Sequence, residues 1–469
     1  MTYRPLPEAF FKPRRIAVVG ATKKRGFGSG ISGMLVSIGY REHLYLVNPR
    51  EKEIDGLPVY RQLSDIPVDI DLAILIMPGP QAPEVIGECV AKGIRAVILE
   101  SAGFSETGPE GARLEEEVRQ RLRGTETRVI GPNCIGIINP HDRFTSTQIE
   151  LDVLRPGNIG VIAQSGAFGN ILADWAPVQN LGFSKLVTIG NRVDVDETDL
   201  LHYFARDEKT DVIVLYIEGV KDGRRFFEAA RQVTPLKPVL LYKGGRSAVG
   251  KKAAASHTGS LAGEDELYEG VFHQAGVIRA ASFQELFDMA RVFSREPLMA
   301  GPEICIVTCS GSLGVMAADA GEALGLQFPD LQPETVAAVR KLAPSWMNVK
   351  NPLDVGPSGL FIEATKAVLR DDRIHGLITL PVIPNTIVRD IVEGGVDPRD
   401  LYGDPEEYRR LAPGKPFLIH TVGGAYWLEM VQKVYGDTLT IVSSPEIAAK
   451  SLWSLYRYHE FRRNGGRRQ

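Results

Sequence analysis

The stretch IGVIAQSGAFGN occupies residues 159–170 and passes from a continuous apolar run into a Ser-Gly-x-x-Gly segment. A short apolar, β-branched run that ends in a glycine-rich turn is typical of a buried parallel strand followed by a helix. The same pattern returns at residues 304–315 as ICIVTCSGSLGV. Two copies of one strand-to-helix pattern indicate two related α/β domains in tandem.

Short apolar runs surround both copies and alternate with helix-like segments. Five of them precede the first copy: RIAVVG (15–20), HLYLVNP (43–49), DLAILIMPG (71–79), AVILESAG (96–103) and RVIGPNCIG (128–136). Three more follow each copy: KLVTIGN, DVIVLYIEG and PVLLYKGG after the first, and GLITLPVI, PFLIHTVGG and LTIVSS after the second. Runs of this kind predict doubly wound, mainly parallel sheets whose ligands bind at the carboxyl ends of the strands.

Two Pro- and Gly-containing segments, LDVLRPGN (151–158) and SREPLMAGPE (294–303), interrupt this alternation. We therefore predict an α/β protein with three domains, at residues 1–150, 158–298 and 302–460.

The composition is that of an ordinary globular protein, with 469 residues, 44% hydrophobic and 24% charged, and a formal net charge of -4. Charge of both signs without a long single-sign run argues against a nucleic-acid or membrane-surface binder. No apolar run reaches membrane-spanning length, and the N-terminus lacks the apolar core of a signal peptide, so we expect a cytoplasmic protein. The few cysteines fit a reduced compartment, and no neighbouring ligands complete a metal set around Cys305 and Cys309.

The segment GATKKRGFGSGISG (20–33) contains the glycine spacing of a dinucleotide fingerprint, at Gly28, Gly30 and Gly33. These glycines lie well past the end of the predicted strand, where the fingerprint normally begins. Asn48 stands near the end of the second strand, where a nicotinamide enzyme favours an acidic residue. The spacing alone therefore does not support a nicotinamide site.

The cations Lys23, Lys24 and Arg25 precede the predicted first helix. Together with the N–H groups of a helix start, they suit a phosphate-rich nucleotide without a free ribose diol, such as the 3'-phosphorylated ADP of coenzyme A. A tight turn with no ligand is the alternative interpretation.

A second glycine-rich segment, Gly245–Lys251, matches the first seven positions of the P-loop pattern. Lys252 stands where that pattern needs a hydroxyl group to hold magnesium. We interpret the segment as a Gly/Lys loop and not as an ATPase site.

The segment KKAAASHTGSLAG (251–263) surrounds His257 with small residues, which leave a loop free to move. A neutral imidazole is a good nucleophile toward phosphorus. At Ser165, Gly166 and Ala167, in one predicted strand-to-helix turn, free N–H groups favour a phosphate. Glu218 ends a neighbouring strand and is a candidate to orient the imidazole. The alternatives are a structural or solvated-loop histidine and an ordinary surface carboxylate.

Taken together, the segments GATKKRG, VNP, GPNCIG, QSGAFG, YIEG, ASHTGSLAG and NPLDV resemble the α subunit of NDP-forming (ADP-forming) acyl-CoA synthetases, relatives of succinyl-CoA ligase. The resemblance covers nearly the whole chain, and its most specific element is SHTGSLAG. It implies a Rossmann-like CoA-binding domain followed by two flavodoxin-like, succinyl-CoA-synthetase-like domains.

The resemblance also implies roles for single residues. His257 becomes the phosphocarrier, Glu218 the glutamate that orients it, and Ser165, Gly166 and Ala167 the phosphate-binding helix start. The implied CoA-binding residues lie in the turns after the first five strands: Gly20, Ala21, Thr22, Lys23, Lys24, Gly26, Asn48, Pro49, Met77, Pro78, Ser101 and Asn133.

The reaction implied by the resemblance interconverts acyl-CoA, ADP and phosphate with a carboxylic acid, ATP and CoA, through an acyl phosphate and a phosphohistidine. The sequence shows no complete site for ADP or ATP with Mg²⁺, so the resemblance places that site on a separate ATP-grasp β subunit in an α2β2 complex. Two alternatives stay open: a non-catalytic CoA- or nucleotide-binding regulatory protein of the same fold, and a nicotinamide-dependent oxidoreductase. Trp346 and Met347, beside NPLDV, are candidates for an acyl pocket or for core packing.

Overall fold

The computed structural model describes residues 4–24, 27–258, 264–382, 389–390, 393–395, 397 and 399–466, and for residues 27–29 and 255–258 it describes the backbone alone. The chain divides into two compact units, Met1–Ala280 and Ala281–Gln469. The first unit contains two sheets and the second contains one.

The first sheet has seven strands: β1 (Ile16–Val19), β2 (Leu44–Val47), β3 (Glu53–Ile54), β4 (Leu57–Tyr60), β5 (Leu72–Leu75), β6 (Ala96–Leu99) and β7 (Arg128–Ile130). Their order across the sheet is β3-β4-β2-β1-β5-β6-β7, and all pairs are parallel except β3 with β4. The strand order reverses at the central strand β1, as in a doubly wound sheet. Its helices are α1 (Phe27–Ser37), α2 (Ala82–Ala91) and α3 (Pro109–Leu122).

The second sheet also has seven strands: β8 (Ile137–Asn139), β9 (Phe144–Thr145), β10 (Arg155–Ala163), β11 (Gly182–Thr188), β12 (Val212–Ile217), β13 (Val239–Lys243) and β14 (Ile278–Arg279). Their order is β14-β13-β12-β10-β11-β8-β9, with β10 as the central strand at which the order reverses. The associated helices are α4 (Gly166–Trp175), α5 (Glu197–Arg206), α6 (Gly223–Val233), α7 (Ala248–Thr258) and α8 (Asp265–Ala275).

The parallel strands predicted from the apolar runs are confirmed in both sheets. Strands β1, β5 and β6 are buried along their whole length, which explains why their sequences do not alternate between apolar and polar residues. The sequence did not predict the hairpin of β8 and β9, which pairs antiparallel with β11 at the edge of the second sheet. This hairpin lies within residues 1–150 but belongs to the second sheet.

The two sheets of the first unit share a hydrophobic core, in which Ile98 of β6, Phe144 of β9 and Ile162 of β10 belong to one cluster. Phe11 stacks on Tyr203 of α5 with ring centroids 4.0 Å apart. Burial of aromatic and branched side chains between the sheets is the main stabilising contribution here.

A buried group of charges also joins the two sheets. Arg128, in β7, contacts Asp194 at 2.8 Å and Asp199 at 2.9 Å. Arg225, in α6, contacts Asp196 at 2.5 Å and also Asp199. Burial raises the pKa of Asp199, as does the charge of Asp196, while the two arginines oppose this shift. The buried carboxylate of Asp199 is therefore paired with both arginines.

The Ala281–Gln469 unit has one parallel sheet: β15 (Ile304–Thr308), β16 (Leu353–Asp354), β17 (Gly376–Leu380), β18 (Phe417–Ile419) and β19 (Thr440–Ile441). Its order is β16-β15-β17-β18-β19. The helices are α9 (Phe283–Arg295), α10 (Gly311–Leu324), α11 (Pro333–Arg340), α12 (Phe361–Leu369), α13 (Arg399–Tyr402), α14 (Pro405–Leu411), α15 (Ala425–Tyr435) and α16 (Pro445–Arg463).

The repeated strand-to-helix pattern has the same form in both units. Strand β10 leads into α4 with Ser165 as the N-cap, and β15 leads into α10 with Ser310 as the N-cap. The helix α9 belongs to the second unit, although the predicted second domain extends to residue 298. The three domain boundaries themselves stay a prediction.

Candidate active site

A cavity of about 610 Å³ lies in the Met1–Ala280 unit, at the carboxyl ends of strands from both of its sheets. Among the residues that sequence analysis singled out, this cavity brings together Met77, Pro78, Ser101, Asn133, Ser165, Gly166 and Ala167. Four of these are predicted CoA-binding residues and three are predicted phosphate-binding residues. The two predicted sites therefore open into one space.

A second cavity, of about 430 Å³, lies beside the first strand of the first sheet. Gly20, Asn48 and Pro49 line it, and it shares Met77 and Pro78 with the larger cavity. The lining also includes two cations that the sequence analysis did not select as ligands, Arg50 and Arg61. A long ligand with anionic groups at one end can thus contact both cavities through the segment after β5.

The turn after β1 is shaped by a close backbone approach. Gly20 has φ +95°, and a Cβ atom there would lie 2.8 Å from the backbone nitrogen of Met77. Only glycine fits this position without displacing the segment after β5. The side-chain amide of Asn48 donates to the carbonyl oxygen of Ala21 at 2.7 Å, which ties the turn after β2 to the turn after β1.

The predicted residues that follow Gly20 lie at the protein surface or just below it. Ala21 is buried, the hydroxyl of Thr22 accepts the backbone N–H of Lys24 at 3.2 Å, and Lys23 and Lys24 are exposed. None of these four residues lines either cavity. Gly26 lies outside the described residues.

Ser101 and Asn133 are held by hydrogen bonds at the ends of β6 and β7. The hydroxyl of Ser101 donates to the carbonyl oxygen of Met77, and the backbone N–H of Asn133 donates to the carbonyl oxygen of Ser101 at 2.9 Å. The amide of Asn133 reaches Asn191, after β11, at 3.4 Å. These contacts fix the cavity wall where the two sheets meet.

The start of α4 forms the opposite wall. Ser165 is the N-cap, and its hydroxyl accepts the backbone N–H of Phe168 at 3.5 Å. The first N–H groups of a helix have no carbonyl partner within the helix, and the helix dipole is positive at this end. The wall formed by Ser165, Gly166 and Ala167 is therefore suited to an anion such as phosphate.

Glu218 follows β12, the strand next to β10. It is 5% exposed, and its carboxylate accepts a hydrogen bond from the hydroxyl of Tyr216 at 3.1 Å. It does not line the larger cavity, but its backbone N–H donates to the side chain of Gln164, which does. Gly244, at the start of the loop that leads to α7, lies against Glu218.

His257 lies in the last turn of α7 (Ala248–Thr258), and its side chain is outside the described residues. Helix α7 lies against the 3-10 helix Ser105–Thr107 of the segment after β6. That segment is tied to the cavity wall, because the amide of Asn191 donates to Glu106 at 2.5 Å and to Glu115 at 2.8 Å. Helix α7, which carries His257, therefore contacts a segment that is hydrogen-bonded to the cavity wall.

Sequence reasoning missed several residues of the cavity wall, of which Glu100 is the most unusual. It is 5% exposed, and neither carboxyl oxygen has a hydrogen-bond partner by geometry among the described residues. Burial raises the pKa of Glu100 well above its ordinary value, and the nearby hydroxyl of Ser146 offsets this only in part. The sequence did contain one indication of this residue, because Glu100 is an acidic residue directly after the apolar run AVIL.

Gln164 and Asn191 were also missed, although both follow predicted strands. Gly190, just before Asn191, has φ +53°, and a Cβ atom there would lie 1.9 Å from the carbonyl oxygen of Pro132. Because Gly190 and Pro132 are far apart in the chain, the spacing of residues along the sequence could not predict this contact.

The remaining motifs that the sequence analysis considered lie outside both cavities. Gly28, Gly30 and Gly33 lie inside α1 and do not form the turn after β1. In the P-loop-like segment, Lys251 pairs with Glu264 at 2.7 Å. Met347 is buried in the core of the second unit, whereas Trp346 is 61% exposed.

Two features are absent from the part of the chain that the structure describes. Within it, no three His, Cys, Asp or Glu side chains come together as a metal site. No described helix combines the length and apolar character needed to cross a membrane.

Family comparisons match each part of the chain. The CoA binding domain family matches residues 14–140, the Succinyl-CoA ligase like flavodoxin domain family matches residues 156–293, and the Ligase-CoA domain family matches residues 304–392. The acetate–CoA ligase [ADP-forming] I subunit alpha of Pyrococcus furiosus is 37% identical over 97% of this chain and 98% of its own length.

The chain belongs to the ADP-forming acetate–CoA ligase family. The subunit alpha of ligase II of the same organism is 40% identical over 95% of this chain and 96% of its own length. The structure of the acetyl-coenzyme A synthetase 1 of Ca. Korarchaeum cryptofilum, in complex with phosphate and ADP, superposes with a TM-score of 0.84 and 32% identity, over 97% of both chains.

The family and the fold class that the sequence predicted for this ligase family member are confirmed: a CoA-binding domain precedes succinyl-CoA-ligase-like flavodoxin domains. The alternative of a non-catalytic regulatory protein is not favoured, because relatives that match nearly the whole chain are named as ligases.

Proposed function

We propose that this chain is the acyl-CoA-binding α subunit of an ADP-forming acyl-CoA synthetase, an acid–thiol ligase. It interconverts acyl-CoA, ADP and phosphate with a carboxylic acid, ATP and CoA. One observation carries the proposal: a single cavity is lined both by Met77, Ser101 and Asn133 and by the helix start at Ser165. A thioester and a phosphate can meet there.

CoA lies along the carboxyl edge of the first sheet in this proposal. Its nucleotide occupies the cavity lined by Gly20, Asn48 and Pro49, with Lys23 and Lys24 available to its phosphates. Its pantetheine arm passes the segment of Met77 and Pro78, which both cavities share, and the thioester enters the larger cavity. The remaining residues that the proposal assigns to CoA binding are Ala21, Thr22 and Gly26.

The first step forms an acyl phosphate. A phosphate oxygen attacks the thioester carbonyl carbon, the carbon–sulfur bond breaks, and CoA leaves as a thiolate that takes up a proton. The N–H groups of Gly166 and Ala167, with the dipole of α4, bind the phosphate and stabilise negative charge that develops on the attacked group.

The second step moves the phosphoryl group to this chain. A ring nitrogen of His257 attacks phosphorus, the bond from phosphorus to the acyl oxygen breaks, and the carboxylate leaves. Glu218 accepts the N–H of the other ring nitrogen, which fixes the tautomer and stabilises the phosphorylated ring. For Glu218 to bind this N–H group, the last turn of α7 must approach the end of β12. Gly244, at the start of the loop that leads to α7, already lies against Glu218.

The third step belongs to a partner. We assign ADP and Mg²⁺ to an ATP-grasp β subunit, which receives the phosphoryl group as the bond between nitrogen and phosphorus breaks. Relatives that match this chain over nearly its full length are named as alpha subunits, which supports a partner subunit. An α2β2 complex and a cytoplasmic location are part of the same proposal, as is a small carboxylic acid such as acetate as substrate.

The test replaces His257 in the complex with the partner subunit. His257→Ala should abolish both ATP formation and the uptake of label from radioactive phosphate plus acetyl-CoA. The label on the unchanged chain should be acid-labile and base-stable, as a phosphoramidate is. His273→Ala, in the exposed part of α8, is the matched control and should keep activity. Label and ATP formation that persist in His257→Ala would refute the proposed route.

Glu218→Gln should leave the fold intact and slow the labelling by roughly 100-fold, the scale for losing a positioned catalytic partner. Rapid-quench labelling measures this rate directly. An unchanged rate would remove Glu218 from the mechanism while leaving His257 in place.

A further inference from the structure

The turn that begins α4 and the turn that carries Glu218 are joined by three hydrogen bonds to one residue. The backbone N–H of Gln164 donates to the carbonyl oxygen of Tyr216 at 2.9 Å. The side-chain oxygen of Gln164 accepts the backbone N–H of Glu218 at 2.7 Å and that of Gly219 at 3.2 Å. Gln164 is 1% exposed, so water competes little for these bonds. It is also the residue immediately before the N-cap Ser165.

A second, independent connection joins the same two turns through aromatic rings. Tyr216 stacks on Phe168, with ring centroids 4.4 Å apart and an interplanar angle of 16°. Phe168 lies in the first turn of α4, and its N–H donates to the N-cap Ser165. The hydroxyl of Tyr216 donates to the carboxylate of Glu218 at 3.1 Å. Glu218 is therefore linked to the start of α4 in two ways. Its carboxylate is linked through Tyr216 and Phe168, and its backbone N–H is linked through Gln164.

We propose that Gln164 and Tyr216 are positioning residues, which fix the carboxylate of Glu218 relative to the anion-binding start of α4. This inference rests on the proposed role of Glu218. Phosphoryl transfer to the histidine needs the phosphate and the orienting carboxylate at a set separation, and an error of about 1 Å in such geometry lowers rates by roughly 100-fold. Gln164 lines the cavity, but its side-chain oxygen is occupied by the N–H groups of Glu218 and Gly219, and Tyr216 acts through Glu218.

Tyr216 is suited to hold a carboxylate because its hydroxyl group gives up its proton less readily than that of an ordinary tyrosine. Burial raises the pKa of Tyr216, and the charge of Glu218 raises it further. The hydroxyl therefore stays protonated and remains a donor, and the carboxylate keeps a fixed partner.

The experiment compares Tyr216→Phe with the unchanged chain in the assembled enzyme. The variant keeps the ring that stacks on Phe168 and loses only the hydroxyl. We expect the rate at which radioactive phosphate plus acetyl-CoA labels His257 to fall roughly 10- to 100-fold. The KM for acetyl-CoA and the melting temperature should stay close to their original values.

Tyr242→Phe is the matched control. Tyr242 stacks on Tyr216 with centroids 6.0 Å apart, so the variant removes a hydroxyl from the same group of rings without removing the donor to Glu218. Its labelling rate should be unchanged. Equal rate losses in Tyr216→Phe and Tyr242→Phe would mean that ring packing matters and would overturn the inference.

A double-mutant cycle separates this inference from the proposed function. If Tyr216 acts through Glu218, Tyr216→Phe should have little further effect in a Glu218→Gln background. An undiminished effect in that background would overturn the positioning role of Tyr216 while leaving Glu218 in the mechanism. No effect of Glu218→Gln itself would overturn the proposed role of Glu218.

Gln164→Met tests the backbone connection, because methionine has a similar length but cannot accept the two N–H groups. We expect a slower labelling rate together with a lower melting temperature, since two buried donors lose their acceptor. A melting temperature that falls while the labelling rate stays unchanged would show that Gln164 serves the fold alone.

Discussion

Glu100 has a buried carboxyl group, and neither of its oxygens has a hydrogen-bond partner by geometry among the described residues. Burial raises the pKa of Glu100 well above its ordinary value. Above about pH 4.3, the ordinary pKa of a glutamate, the unfolded chain therefore releases this proton while the folded chain keeps it. Stability falls as pH rises from there toward the raised pKa of the folded state.

Glu100→Gln should remove this pH-dependent loss. We expect the variant to unfold at a higher temperature than the unchanged chain near pH 8, and the difference to shrink toward pH 4.5. The gain grows by about 1.4 kcal/mol for each pH unit above about 4.3, until the pH reaches the raised pKa of the folded state. Thermal unfolding at several pH values measures it, with Glu126→Gln as the control, because the side chain of Glu126 is 82% exposed. A difference that does not change with pH would contradict the assignment.

Lys23 and Lys24 are the exposed cations of the turn after β1. Replacing both by Gln should weaken CoA binding by about 10-fold, the scale for exposed charge-assisted contacts to phosphates. Calorimetry should also show that the unchanged chain binds CoA more tightly than NAD. The control is Lys209→Gln, in an exposed turn of the second sheet. Tighter binding of NAD than of CoA would refute the CoA assignment.

Helix α4 packs closely against the second sheet because Gly169 leaves room for it. A Cβ atom at Gly169 would lie 2.6 Å from the Cγ2 atom of Thr188 and 3.0 Å from the Cδ1 atom of Ile135. Since Ile135 lines the cavity, a displaced α4 would also change the anion-binding wall.

Gly169→Ala should therefore destabilise the protein by about 1–3 kcal/mol, the range for overpacking a core. It should slow the labelling of His257 as well. Gly270→Ala is the matched helix control, because nothing lies within 4 Å of the added methyl group in α8. That variant should gain about 0.5–1 kcal/mol, since alanine favours helices over glycine. Denaturant unfolding measures both, and a stabilised Gly169→Ala variant would contradict the packing described here.

The elements that the sequence predicted well are those whose pattern is local. Strands β1, β5, β6 and β10 follow continuous apolar runs, and Ser165 marks the start of α4 within one short segment. The hairpin of β8 and β9 was missed, because strands of three and two residues are too short to carry a periodic pattern.

The candidate site divides in the same way. The turns after the strands were predictable, since parallel strands bring their carboxyl ends to one edge of a sheet. Glu100 and Gln164 were not, because their importance lies in missing or shared hydrogen-bond partners, which only the packed structure reveals.

The two sheets of the first unit are held together by charge as well as by the core. Arg128→Met should destabilise the protein by about 3–5 kcal/mol, because it removes the arginine that pairs with Asp194 and leaves the buried carboxylate of Asp199 with Arg225 alone. Arg95→Met is the control, since Arg95 and Glu126 are 65% and 82% exposed and such pairs contribute little. Urea unfolding monitored by fluorescence compares the two. A loss no larger than that of the control would contradict the role given to this buried group of charges.

The sheets of both units end in very short strands. Strands β3, β9, β14, β16 and β19 each have two residues and lie at sheet edges, and β7, at the remaining edge, has three. An edge strand of this length offers few unpaired N–H and C=O groups to a foreign chain, which limits edge-to-edge aggregation. A protein built this way can reach high concentrations in a crowded solution without polymerising through its backbone. Its contacts with other proteins then depend on side chains, whose sequence can select one partner and reject another.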